Sequence, residues 1–365
     1  MKTVIQVAHI TQTPGPVQFL ADYLIKEKGA NLYQIYHPLN QDSLPKSFLA
    51  HNQKIIKELN FRAPAIIRYF IDAIITSYWL LKLPEEVDLG IGMNCFDTLP
   101  LIIFRKKIKK IIFFNTDFSR KRFNNPLINS LYVKVDQFCA KKADLLCCNT
   151  QRTIRARTSE GVDKKKLLFT PNGVFFNLLG KVNPHKTYKK SLFYIGYISK
   201  EHGLQRVIKL LPKFDISLVI AGGGEYENEL KQLVRKLKLE NKVKFLGRIE
   251  HNKVIEKLKK FSGFGLAPYN DSNEWTKYCD PVKVKEYLSC FVPVIISDIP
   301  EVARLVKEKR LGFVYKDEKD LAKIIKLITE MKQDEYQELL DNIKNVRSSF
   351  DLEIIYEKIW QEALK

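Results

Sequence analysis

The stretch Asp280-Pro-Val-Lys-Val-Lys-Glu286-Tyr-Leu carries the residue types and spacing best suited to a phosphorylated ligand. Asp280 suits an N-cap and Pro281 a first helical position, so a helix is predicted to open here. Val284, Tyr287, Leu288 and Phe291 follow as an apolar stripe at helical spacing, and Glu286 lies off it. Exposed N–H groups near Val282 and Lys283 would attract a phosphate. Glu286, one turn on, is placed to accept hydrogen bonds from a ribose or sugar diol. Phosphate site and diol acceptor together describe a nucleotide-sugar pocket; an ordinary capped surface helix has the same pattern.

Other candidates lie where strands are predicted to end. Gly15 separates the strand 3–10 from a helix at 17–26, leaving room for backbone N–H groups to meet a phosphate. No Gly-x-Gly-x-x-Gly occurs there, at Gly90-Ile-Gly92 or at 222–224, which argues against a nicotinamide enzyme. The triple glycine reads first as a tight strand-to-helix turn, with ligand contact through Gly223 as the alternative. Asn115-Thr-Asp117-Phe-Ser-Arg120-Lys-Arg122 follows an apolar strand, at the edge where parallel sheets bind ligands. Asp117 could act as a base or orient an acceptor hydroxyl, and Arg120 and Arg122 could hold phosphate; the alternative is a salt-bridged loop. Lys200 or His202, after the first strand of the second half, could neutralise a pyrophosphate leaving group.

The elements that must position these residues alternate strand and helix in both halves, implying right-handed crossovers and mostly parallel sheets. The 365 residues divide into two domains, 1–183 and 190–349, joined by the polar, basic segment 180–190, with a C-terminal helix at about 350–365 returning to the first domain. Residues 63–81 form a nearly all-apolar helix with one narrow polar stripe, Arg68, Asp72 and Thr76. That pattern suits a largely buried core helix, or one that dips into a membrane interface or lines a lipid-acceptor groove. Six cysteines without Cys-x-x-Cys spacing read as reduced thiols of a cytoplasmic protein and speak against a zinc site. No apolar run is long enough to span a bilayer, and the opening Met-Lys-Thr-Val-Ile-Gln-Val is a strand pattern, not a secretory signal. Net charge is +20, and residues 105–166, with 17 Lys/Arg against 5 Asp/Glu, carry the whole excess of the first half. Such a face suits anionic lipid, a pyrophosphate-linked acceptor or nucleic acid, or is simply a solvated surface. No nucleic-acid-binding motif accompanies it.

Taken in order, the motifs resemble glycosyltransferase family 4. Tyr194-Ile-Gly196 with Gly203, Leu218-Val-Ile-Ala-Gly-Gly-Gly224-Glu, Val243-Lys-Phe-Leu-Gly247-Arg248, Leu266-Ala-Pro-Tyr269 and Pro281-x-Lys283-x-x-Glu286-Tyr-Leu with Pro293-Val-Ile are similar to that family's donor-side elements. Leu168-Phe-Thr-Pro-Asn172-Gly173-Val and the run from Asp117 to Asp144 resemble its first-domain patterns. The resemblance implies an α/β GT-B fold, two Rossmann-like domains with parallel sheets facing an interdomain cleft. It further implies a retaining, metal-independent hexosyltransferase that uses a nucleoside-diphosphate sugar, most commonly a UDP-sugar. The acceptor would be a glycan or polyprenyl/lipid-linked molecule at the inner face of the membrane, without nucleic acid as partner. Donor contacts would fall on Gly15, Lys200, His202, Gly223, Arg248, Asp280, Val282, Lys283 and Glu286, with Asp117 and Glu286 catalytic and Arg120 and Arg122 on the acceptor side. The chain departs from the pattern where Tyr278 replaces the first of two glutamates, Tyr197 and His202 replace a basic pair, and Phe291 replaces a glycine. A catalytically degenerate GT-B-like protein, or a basic scaffold binding nucleic acid, is the alternative.

Overall fold

The computed structural model describes residues 1–11, 15–39, 46–61, 65–83, 86–115 and 118–365, without the side chains of 65 and 66. The chain forms two compact units, Met1–Pro171 with Ile355–Lys365, and Asn172–Ile354.

In the first unit, the described residues build an eight-stranded sheet from β1 (Thr3–Ile10), β2 (Asn31–Pro38), β3 (Lys46–His51), β4 (Lys54–Asn60), β5 (Val87–Gly92), β6 (Ile108–Asn115), β7 (Leu145–Cys148) and β8 (Leu167–Phe169), ordered β4-β3-β2-β1-β5-β6-β7-β8. Its central pairs are parallel, and only the β2–β3 and β3–β4 pairs run antiparallel. That hairpin turns at Asn52-Gln53, both with positive φ (46° and 69°), as a tight hairpin turn requires. The helices needed below are α1 (Pro16–Lys26), α2 (Ala65–Lys82), α3 (Cys95–Ile103), α4 (Pro126–Lys142) and α5 (Gln151–Ser159).

Helix α2 is inverted relative to an ordinary amphipathic helix. Its polar stripe, Arg68, Asp72 and Thr76, is buried. Strand register explains why: His9 and His37 are direct partners on β1 and β2, and both imidazoles meet Asp72. His9 Nδ1 lies 2.7 Å from Asp97 Oδ1 and its Nε2 3.2 Å from Asp72, while Arg68 Nε donates to Asp72 at 3.3 Å. Burial alone would lower the His9 pKa, but the carboxylates of Asp97 and Asp72 raise it to about 9.

In the second unit, β9 (Ser191–Ile195), β10 (Ser217–Ala221), β11 (Val243–Gly247), β12 (Phe264–Ala267), β13 (Val294–Ser297) and β14 (Gly312–Tyr315) form an all-parallel sheet, ordered β11-β10-β9-β12-β13-β14. Strands such as Val294–Ser297 are buried throughout, as a parallel sheet covered on both faces demands. Flanking helices include α6 (Leu204–Leu210), α7 (Glu227–Lys236), α8 (His251–Lys260) and α9 (Val282–Ser289). The order reverses between β9 and β12, and ligands of doubly wound sheets bind beyond the strand ends at such a point.

The boundary falls at Pro171/Asn172, ahead of the linker expected at 180–190. That segment packs on the second core: Lys186 is buried and donates to the carbonyls of Leu258, Phe261 and Cys290 at 3.1, 2.8 and 2.6 Å. At the other end of the chain, Tyr356 donates to the Pro16 carbonyl at 3.0 Å and Tyr23 to Glu357 at 2.6 Å, fastening the C-terminal helix within the first unit.

Candidate active site

At the reversal point of the second sheet, loops are held by backbone packing that only glycine permits. Gly203 has φ +69°, and a Cβ there would stand 1.8 Å from the Pro268 carbonyl oxygen. Asn270 clamps the same turn from beyond β12, its backbone N–H donating to Glu201 O at 2.9 Å and its side chain to Lys200 O at 2.8 Å. Side chains at Gly222 and Gly224 would strike the carbonyls of Gly196 and Ile198, at 1.9 and 2.2 Å. The triple glycine is thus chiefly a packing device between the loops after β9 and β10. Gly223 is different, because the Arg248 side chain lies across it, with Cγ 3.0 Å from where a Cβ would be.

Lys283 occupies the centre of this edge. Its Nζ donates to Tyr194 Oη at 3.1 Å and sits 4.2 Å over the Tyr194 ring and 5.3 Å from the Tyr269 centroid. A Cβ on Gly196 would be 3.1 Å from that Nζ, so the glycine leaves the ammonium uncovered on one side. Burial among aromatic rings lowers its pKa to about 7. His202 is boxed in by the Tyr269 and Trp275 rings, at 5.2 and 5.9 Å. Burial first, then the charge of Lys283, pushes it down to about 3. Burial thus favours its neutral imidazole, so of the two alternatives offered by the sequence, Lys200 or His202, His202 is the less suited to serve as a cation. Lys200 is exposed on the same turn.

Helix α9 departs from expectation at both ends. Asp280 does not cap it; Pro281 stands at the N-cap, and the helix starts at Val282. Asp280 is instead buried, paired with Lys285 Nζ at 2.8 Å and accepting the Asn172 N–H at 2.7 Å, which anchors the Asn172-Gly173 turn. Removing Asp280 from solvent demands a partner, and Lys285 on the next turn supplies it. At the other end Phe291 adopts φ +53°, keeping the left-handed backbone for which glycine is the usual residue. Glu286 is buried rather than exposed on an off-stripe face, and its Oε1 lies 2.6 Å from Nε2 of His251, the first residue of α8. The bond to Glu286 raises the His251 pKa. His251 was missed because no local pattern joins residues 35 apart; its position just after the β11 strand end was the one signal.

The first-unit candidates are more dispersed. Asp117 lies outside the described residues. Arg120 is tied to Glu160 at 3.3 Å. Arg122 lines a cavity of about 100 Å³ beyond the ends of β1, β5 and β6, together with His9, Tyr69, Asn94, Phe96 and Tyr132. Gly15 caps α1 with φ −147°, its N–H donating to Gln18 at 3.0 Å, in a conformation open to any residue. Behind the cavity, buried Arg157 is paired with Asp136 and donates to Asn115 at 3.1 Å. Among the described residues, no group of three or more His, Cys, Asp or Glu is arranged to hold a metal ion.

Comparison with known proteins adds three findings. Residues 177–348 match the family model for glycosyl transferases group 1, a span containing the whole β9–β14 sheet. Alpha-monoglucosyldiacylglycerol synthase of Streptococcus pneumoniae is 30% identical over 139 residues, 37% of this chain and 30% of that protein. Chitobiosyldiphosphodolichol beta-mannosyltransferase of Candida albicans is 23% identical over 298 residues, 74% of this chain and 63% of that one. The chain thus spans just under one third and just under two thirds of these curated relatives. Among solved structures, Anabaena Alr3699/HepE in complex with UDP and glucose superposes with TM-score 0.74 at 15% identity, covering 99% of each chain, a likeness of fold.

Proposed function

We propose that this chain, a GT-B protein whose residues 177–348 match the family model for glycosyl transferases group 1, transfers a hexose from a nucleoside-diphosphate sugar to a glycan or lipid-linked acceptor. The observation that carries the reading is Lys283, an amine with no carboxylate in ion-pairing reach among the described residues, held at the sheet reversal beside the N-terminus of α9. A departing diphosphate is the ligand that both features favour. Val282 and Lys283 then offer backbone N–H groups, Lys283 its charge, and Lys200 and Arg248 flank the anion. Glu286, aligned by His251, takes the ribose diol. UDP is the nucleotide we favour, and the positive charge at Lys283 makes a divalent metal unnecessary.

In this reading Asp117 orients the acceptor hydroxyl, Arg120 and Arg122 contact the acceptor, and Gly15 contacts the donor. Transfer proceeds with retention: the anomeric C–O bond to diphosphate breaks, the acceptor oxygen bonds to the same face, and its proton passes to the leaving diphosphate. The two curated relatives bear names with opposite anomers, alpha and beta, so product anomeric configuration by NMR is the test of this step. Both of those names also contain a lipid, diacylglycerol or diphosphodolichol, which supports a lipid-linked acceptor. Six free cysteines fit a reducing cytoplasmic setting. Thermal-shift titration with UDP, GDP and ADP tests the donor site, because a ligand that binds only the folded state raises Tm. A shift with one nucleotide, lost in Glu286→Ala, supports the assignment; no shift with any of the three overturns it.

A further inference from the structure

Helix α2 turns its polar stripe inward and leaves a continuous apolar stripe facing out. Ile67, Phe70, Ile74, Tyr78 and Leu81 are 53%, 41%, 67%, 54% and 59% exposed. At about 100° per residue these five fall within roughly 80° of arc, and they run for about 20 Å along the helix. Single exposed apolar residues are ordinary on a protein surface, but a stripe of five on one helix marks an interaction face.

The surroundings extend the pattern. Helix α3 packs between α2 and α4, and its last residue, Ile103, is 65% exposed. On α4, Leu127, Leu131 and Phe138 are 81%, 46% and 44% exposed, again on a single helical face, with Lys134 among them. The charges are partitioned by sign. Each of these helices has one carboxylate, Asp72, Asp97 and Asp136, and all three are buried. The exposed charges are cations: Lys82, whose Nζ lies 5.7 Å from the Tyr78 ring centroid, then Lys106 just beyond α3, and Lys134, Lys141 and Lys142 on α4. Lys107 closes the end of α2, donating to the carbonyls of Leu80, Leu81 and Leu83 at 3.3, 3.4 and 3.4 Å. No helix among the described residues is long and apolar enough to cross a membrane.

We propose that the α2–α4 face seats this protein on an anionic phospholipid bilayer, with the α2 stripe inserted among the acyl chains near the headgroups and Lys82, Lys106 and Lys134 against lipid phosphates. Apolar insertion flanked by lysines, with no exposed carboxylate on the three helices, is what such a surface selects. A second copy of the chain fits less well, because pairing this face with itself would bring two cationic rims together. The inference is independent of the glycosyl-transfer reading, since it uses no donor-site residue.

The test is sedimentation of the full chain with vesicles of phosphatidylglycerol and phosphatidylcholine, and with phosphatidylcholine alone. The wild type should bind the mixed vesicles strongly and the neutral ones weakly. Ile74→Glu should weaken binding about tenfold or more. Leu327→Glu, an exposed leucine of the second unit, should leave it unchanged. Both variants alter exposed side chains, so each should keep the wild-type Tm and the wild-type nucleotide shift; that separates failure here from failure of the donor site. Lys82→Gln, Lys106→Gln and Lys134→Gln together should remove the preference for phosphatidylglycerol. Absence of vesicle binding, or undiminished binding by Ile74→Glu, overturns the proposal. So does a concentration-dependent dimer, seen by sedimentation equilibrium, that Ile74→Glu abolishes.

Discussion

Raising the pH from 7.0 to 8.5 should weaken UDP binding, and Lys283 sets the size of the effect. Aromatic burial lowers this amine to about 7, while a bound diphosphate would favour its charged form and raise it again. Binding therefore takes up a proton, and apparent affinity falls as the free protein loses that proton above pH 7. With a free-state pKa of about 7 and a bound-state value of about 10 or more, the loss over this interval is about 16-fold. UDP contributes little, because a terminal phosphate titrates near pH 6, below the interval. Isothermal titration calorimetry at constant ionic strength reads the slope. In Lys283→Arg, where the guanidinium remains charged, the fall should vanish. In Lys283→Met, affinity at pH 7 should drop by about 2 kcal/mol, the worth of a charge-assisted hydrogen bond, and the fall should again be absent. A 16-fold fall that survives in both variants would show that another group titrates and that Lys283 does not meet the diphosphate.

Two further outcomes follow from the frame that holds the site. Gly203→Ala combines a left-handed backbone with a Cβ 1.8 Å from the Pro268 carbonyl, so it should destabilise the second unit by about 3 kcal/mol or more in urea unfolding; a cost below 1 kcal/mol would mean that the turn relaxes freely. His9 is raised from 6.5 to about 9 in the folded protein, so its stabilising contribution is complete below pH 6.5 and is lost as pH rises through 9. Relative to His9→Asn, the wild type should lose up to about 3 kcal/mol between pH 6.5 and 9.5, and parallel pH profiles would contradict the buried ion network.

Much of the second unit was legible from local pattern. Its strands are short apolar runs ending in glycine or turn residues, and the Pro281-x-Lys283-x-x-Glu286 spacing marks the helix at the sheet reversal. The roles of individual side chains were less legible. Asp280 before Pro281 has the form of an N-cap, yet burial beside Lys285 gives it a stronger partner than the helix N-terminus. Phe291 in place of glycine looked like a loss, but the residue keeps φ +53° and packs its buried ring near Arg347, 5.2 Å from the guanidinium carbon. The β3–β4 hairpin went unread because Asn52-Gln53 is a weaker turn signal than Asn-Gly.

Helix α2 separates what each level of description determines. The sequence by itself determined its helical periodicity, its apolar bulk and the alignment of Arg68, Asp72 and Thr76, because those depend on spacing along one element. It could not determine which stripe faces inward, because that depends on what waits beneath. The His9–His37 register of two parallel strands and the approach of Asp97 from α3 place polar groups there, and a buried charge must find its partners. Tertiary structure likewise brought His251 to Glu286 and set Lys283 against the Tyr194 and Tyr269 rings. Pairing and desolvation are properties of a position in space, which residues distant in the chain create together.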